Sequence, residues 1–335
     1  MKNRIEFIDL AKGICISLVV LLHVLGDLSG AIIQIMNLFR MPLYFVLSGL
    51  FFKTYGGFHP FFMKKTNKLL VPFLFTYFCI IIPTSYILTI RENNIVVWRD
   101  LFWSDRGVPN LGVNGASWFL VCLFAVNLFF YLIFLVSRNK LIGIVLLSGM
   151  CGLLGFFLNQ RGLYLPIWMD SALTATPFFL VGYVFRGYST ILYGEMKKKD
   201  FVYGVLSLFV LLLIYGYDEW KGVGVIAYGV NVYDISIMSL YCGGVSGTYF
   251  VLMISKCLGY LPILSYIGRY SIVVLLTHLP LLFVIRNILY QLDFKQDSIM
   301  INMAVFVLII LLELPIIKLC IKYLPYCFAQ KELLK

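Results

Sequence analysis

The chain has 335 residues, 61% of them hydrophobic and only 13% charged, with a mean hydropathy of +0.93. Soluble domains sit nearer 45–50% apolar and about 25% charged, so a soluble globule is excluded. The net charge of +11 is accounted for by membrane topology, and a nucleic-acid partner needs no place.

Apolar runs of roughly 16–22 residues recur along the whole chain, which suits spanning helices and not the alternating ten-residue strands of a barrel. Spans are predicted at 13–28, 32–52, 69–90, 117–137, 141–158, 172–187, 201–217, 234–254, 270–290 and 299–321. The expected fold is an all-α polytopic membrane protein of about ten transmembrane helices, formed by residues 1–335 as a single membrane-embedded domain. Lys and Arg concentrate in segments 1–12, 53–68, 138–140, 186–199, 256–269 and 318–335, which places both termini in the cytoplasm.

The first span carries Asp9, Lys12, His23 and Asp27 within a helical stripe roughly 60° wide. Lys12 to His23 is about 16 Å along the axis, which puts the imidazole near mid-depth, where an ionisable group reads as functional. Asp27, one turn on, is placed to orient that ring. The acids in the charged head and the histidine inside the apolar run read as a retained span and not as a cleaved leader.

In the second span, Arg40 falls about 12 Å from the outer end. It shares a face with Asn37 and Tyr44. Pro42 leaves a carbonyl without its donor and invites a kink. Arg40 either lines a cavity or snorkels and pairs with an acid. Lys64, Lys65 and Lys68 precede the third span; such a cluster holds a phosphate-rich ligand or lipid headgroups.

Segment 91–116, with its Asn110-Leu-Gly112-Val-Asn114-Gly115 turn, reads equally as a connecting loop or an acceptor-facing cap, and 218–234 has the same two readings, with the loop favoured. Gly243 and Gly247 form a GxxxG pair for close helix packing. His278 falls about 15 Å into the ninth span, at a depth similar to His23 and Arg40. That coincidence points to a central polar cavity, although a membrane histidine also hydrogen-bonds neighbouring helices. For Glu313, proton relay, pairing with Lys318 and helix packing all stay open. The eight cysteines show no CxxC pair and read as small buried hydrophobes. No histidine–carboxylate pattern gathers enough ligands for a metal.

Several segments together resemble the acyltransferase 3 family of bacterial integral membrane O-acyltransferases, most nearly its fucose 4-O-acetylase-like branch. They are Ile8-Asp9-Leu-Ala-Lys12-Gly13-Ile14…His23, Phe39-Arg40-Met41-Pro42…Ser48-Gly49 and Lys65-Thr-Asn-Lys68…Pro72. Ser117-Trp118-Phe119-Leu120, Thr176-Pro177…Gly182-Tyr183 and Gly268-Arg269-Tyr270-Ser271…His278-Leu279-Pro280 follow in the same order. The resemblance implies transfer of an acyl group, usually acetyl from acetyl-CoA, to a hydroxyl of a glycan or lipid-linked sugar in the bacterial inner membrane. It implies His23 as general base or transient acyl carrier, with Arg40 and Asp27 assisting. Lys12, Lys64, Lys65 and Lys68 are then expected to bind coenzyme A, and His278, Tyr44, Trp118 and Asn37 to bind substrate. Lysine at these positions, where many members carry arginine, keeps the charge but loses the bidentate fork, and Arg40 stands where histidine is often found. A secondary transporter of a sugar or lipid-linked glycan is the rival reading, since buried His, Arg and Glu also serve proton relays. A non-enzymatic sensor is a third.

Overall fold

A computed structural model describes residues 5–26, 30–91, 98–104, 106–187, 198–222, 226–294 and 298–334. Among these, ten helices are long and apolar enough to cross a membrane. In chain order the elements are α1 (Glu6–Leu25), α2 (Gly30–Leu50), α3 (Phe58–Ile87) and the short α4 (Trp98–Phe102). Then come α5 (Trp118–Val136), α6 (Leu141–Gln160), α7 (Met169–Phe185) and α8 (Lys198–Trp220). A hairpin of β1 (Ile226–Ala227) and β2 (Val232–Tyr233) pairs Ile226 with Tyr233. The chain closes with α9 (Ile237–Leu258), the short amphipathic α10 (Pro262–Arg269), α11 (Ser271–Gln291) and α12 (Ile299–Tyr323).

All ten predicted spans have a counterpart, and the boundaries move most in the first and third. The first helix starts at Glu6 and stops at Leu25, and the third starts at Phe58 instead of 69. Hydropathy locates only the apolar stretch of a helix, whereas Glu, Lys and Met propagate helix as readily outside the hydrocarbon. Lysines 64, 65 and 68 therefore sit on α3 and not in a loop before it. Two wide turns interrupt α3, at Thr66–Leu70 and Tyr77–Ile81. In each the closing N–H, from Val71 or Ile82, reaches back five residues to Thr66 or Tyr77, and a proline follows directly. A proline ring collides with the carbonyl four residues earlier. A π-type turn moves that carbonyl aside.

Two glycine pairs bring helices into backbone contact. A Cβ at Gly49 would land on the Phe179 carbonyl, and one at Gly182 on the Val46 carbonyl, so α2 and α7 touch through both glycines. Gly13 and Gly268 do the same for α1 and α10, against the carbonyls of Leu264 and Asp9. Close approach of this kind supports helix association where lipid removes the hydrophobic drive. The outward faces of α6, α8 and α12 expose large apolar side chains such as Leu146, Leu153, Phe209, Val307 and Leu311, as a lipid-facing surface requires.

The segment 218–234 is not a simple loop. Helix α8 continues through Trp220, and its buried Asp218 accepts a hydrogen bond from Ser239 Oγ at 2.8 Å. Beyond it the hairpin folds into the bundle, where Asn231, with a left-handed backbone (φ 49°), bonds Thr174 and the Gly155 carbonyl. Within 98–117, Asn110 closes a turn by bonding the Asp100 carbonyl at 2.6 Å, and buried Asn114 donates to the Leu276 carbonyl of α11. Glu313 on α12 accepts the Thr277 hydroxyl with both oxygens at 2.9 Å. All eight cysteines are free thiols.

Candidate active site

Helix α1 is fixed against α2 by two side-chain bonds. The Cys15 thiol donates to the Arg40 carbonyl at 2.9 Å, and the Tyr44 hydroxyl donates to the Lys12 carbonyl at 3.0 Å. Sequence spacing put His23 about 16 Å beyond Lys12 along its helix; in the structure it lies in the last turn of α1. Side chains lean toward the N-terminus of their helix, so His23 on α1 and Arg40 on the antiparallel α2 incline toward one another. Arg40 is close enough to couple electrostatically with His23. Its Nε and Nη1 are buried with no hydrogen-bond partner.

His278 lies about two turns into α11, and its ring faces that of His23 at 5.4 Å between centroids, tilted by 40°. Its Nδ1 lies 2.6 Å from the Val274 carbonyl. A carbonyl only accepts, so Nδ1 carries the proton and Nε2 is left as an acceptor. That Nε2 is buried and has no partner. Asp27, expected to orient His23, lies outside the described residues; the neighbour found beside the ring is His278.

A cavity of about 480 Å³ rises toward this pair. Lys12, Ile16 and Val19 line it from α1, Tyr44 and Ser48 from α2, Lys65 and Lys68 from α3, Phe119 and Leu123 from α5, and Ser271 and Leu275 from α11. Val19 and Leu275 stand about one turn before His23 and His278. The mouth also holds Lys53 and Tyr55, and no described lining residue is a carboxylate. Lys65 is buried with its Nζ 5.7 Å from the Phe61 ring, while Lys68 is exposed.

Other expected site residues lie apart from this cavity. Lys64 does not line it and forms an ion pair with Glu332 of the C-terminal tail. Trp118 sits against Gly229 of the hairpin. Asn37, one turn from Arg40, has a buried Oδ1 with no partner. From the same side comes Tyr228, which sequence reasoning missed. Its hydroxyl is buried without a partner and couples electrostatically to Arg40. Burial pushes this phenol well above its ordinary pKa, so it remains a hydrogen-bond donor. Its only sequence signal was the short Tyr228-Gly-Val-Asn231-Val-Tyr233 turn between apolar residues. Among the described residues no three His, Cys, Asp or Glu side chains gather as metal ligands.

Fold and site define a multi-pass helical membrane protein with a cation-lined cavity that leads toward a histidine pair, His278 buried and His23 half-buried. A family model described as acyltransferase domain matches residues 5–318. The chain belongs to this acyltransferase 3 family and is a membrane acyltransferase. No curated protein and no solved structure matches it.

Proposed function

We propose that the protein moves an acetyl group from cytoplasmic acetyl-CoA to a hydroxyl of a surface glycan or lipid-linked sugar, in a bacterial cytoplasmic membrane. One observation carries this reading: a single cavity has Lys12, Lys65 and Lys68 along its wall and ends about one turn from His23 and His278. Lysines attract the donor's phosphates as point charges, and the slender pantetheine arm suits the apolar passage beyond them. The thioester then reaches His23.

There His23 takes the proton of the acceptor hydroxyl as its oxygen attacks the thioester carbon. The tetrahedral oxyanion receives hydrogen bonds from the unpartnered nitrogens of Arg40. Collapse expels the coenzyme A sulfur, which recovers the proton from the His23 imidazolium. His278 assists with an acceptor nitrogen beside His23. In a variant of the same chemistry, His23 carries the acyl group briefly itself.

The test is incubation of purified protein with labelled acetyl-CoA and candidate glycans. Label transfer to a glycan hydroxyl is the expected result. Movement of a glycan across vesicles without acylation would overturn the proposal in favour of a transporter.

A further inference from the structure

The donor cavity is too small for the whole donor. Pockets of roughly 300–1,000 Å³ hold drug-sized ligands, and coenzyme A adds a nucleotide with three phosphates to its arm. A space of about 480 Å³ accommodates the arm with the phosphate next to it, beside Lys12, Lys65 and Lys68, and leaves the adenosine 3′,5′-diphosphate unplaced. The lysine cluster on α3 does not complete it on the Lys64 side, because Lys64 pairs with Glu332 and lines no part of the cavity.

A second cavity of about 800 Å³ adjoins the first and shares Lys53 and Tyr55 with it. Its wall also includes Asn139, Tyr183 and Arg186. We propose that this second cavity holds the adenosine 3′,5′-diphosphate end of coenzyme A, with Arg186 and Lys53 on its phosphates. The proposal rests on the acetyl-CoA reading and says where the nucleotide goes.

Several features support it. The described wall carries two cations and no carboxylate, which suits a polyanion. Arg186 is anchored, since its Nη1 donates to the Phe52 carbonyl at 2.9 Å, and that bond uses one of five guanidinium donors. Tyr55 on the wall holds left-handed backbone, with φ of 53°. Strain at non-glycine residues persists where surrounding structure enforces it, and it concentrates at ligand sites. The Tyr183 hydroxyl donates to Asn139 Oδ1 at 3.1 Å, which fixes an aromatic face on the wall. Lys53, common to both cavities, sits where the pyrophosphate must pass from one to the other.

The experiment is calorimetric titration of the purified full chain with coenzyme A and with dephospho-coenzyme A, which lacks the 3′-phosphate. The wild type should favour coenzyme A by about tenfold. Arg186→Gln should weaken coenzyme A about tenfold, and Lys53→Gln combined with it should bring the two ligands within about twofold. Arg186→Lys, which keeps the charge, should recover most of the loss. Lys64→Gln should leave the ratio unchanged. If the wild type binds no coenzyme A, the donor reading falls and this one with it. If it binds while Arg186 and Lys53 substitutions leave affinity and ratio intact, only the placement of the nucleotide is overturned.

Discussion

The two halves of the molecule are built for different tasks. On the half that carries Lys12, Lys65 and Lys68, connected cavities stand open and cations line them. On the other half the hairpin and the 98–117 segment fill the space between helices. There the hydroxyls of Tyr228 and Tyr233, Asn37 Oδ1, Asn114 Oδ1 and two Arg40 nitrogens are buried without partners. Most buried polar groups in folded proteins are hydrogen-bonded, and each orphan costs about 1–3 kcal/mol. Orphans also occur on the lysine-bearing half, such as Thr66 Oγ1 and Ser137 Oγ, but Tyr228, coupled to Arg40, and Asn37, one turn from it, gather theirs where polar groups of a ligand would satisfy them. On the function proposed above, the donor enters through the preformed cavities, and the unsatisfied polar groups near Arg40 are left for the acceptor.

Substitutions on either side of His23 test this division. The largest effect belongs to the junction itself. His23→Ala should fold normally and lose at least a hundredfold in label transfer, the lower end of general-base catalysis at about 10²–10⁴. Turnover near wild type in that variant would remove His23 from the chemistry. Next comes the donor side. Lys65→Glu reverses a buried cation on the cavity wall and should weaken acetyl-CoA binding about tenfold or more. Its effect should appear in the KM for donor and leave that for acceptor unchanged; an unchanged donor KM would make the cluster topological or lipid-binding. The acceptor side should answer in the opposite sense. Tyr228→Phe keeps the ring and removes one donor, so the acceptor KM should rise about fivefold with the donor KM constant. A shift in donor KM instead would break the two-sided picture.

How much of this was legible in sequence depends on whether the signal is local. All ten spans were, because apolar length is a property of contiguous residues. The approach of His23, from the last turn of α1, to Arg40 and His278 was anticipated from helical rise and alternating direction. Packing offsets between helices, which no single helix encodes, bring the rings together. Tyr228 was out of reach for the same reason. Nothing in a four-residue turn says that it folds inward to Arg40 and does not lie on the surface. Lys53 counted only as a topological charge, since its place between two cavities depends on α2, α5 and α7 at once.

Lys64 shows the limit of a cluster read as a unit. Lysines 64, 65 and 68 look alike in sequence, but the widened turn at Thr66–Leu70 separates their surroundings. Between them Asn67 is buried and holds the C-terminal tail. Its Nδ2 donates to the Met63 and Leu334 carbonyls, and its Oδ1 accepts the N–H groups of Leu333 and Leu334 at 2.8 Å. The three bonds to Leu333 and Leu334 fix the tail backbone whether or not Glu332 pairs with Lys64. The ion pair itself is partly solvated, with side chains 31% and 51% exposed, and such pairs contribute about 0–1 kcal/mol. Glu332→Gln should therefore be the mildest substitution, leaving donor affinity within about twofold and shifting the melting temperature by less than about 3 °C. A large gain in acetyl-CoA affinity in that variant would mean that the tail acid competes with donor phosphate for Lys64. Lys64 would then belong to the donor mouth after all, and the boundary drawn between the two faces of α3 would have to move.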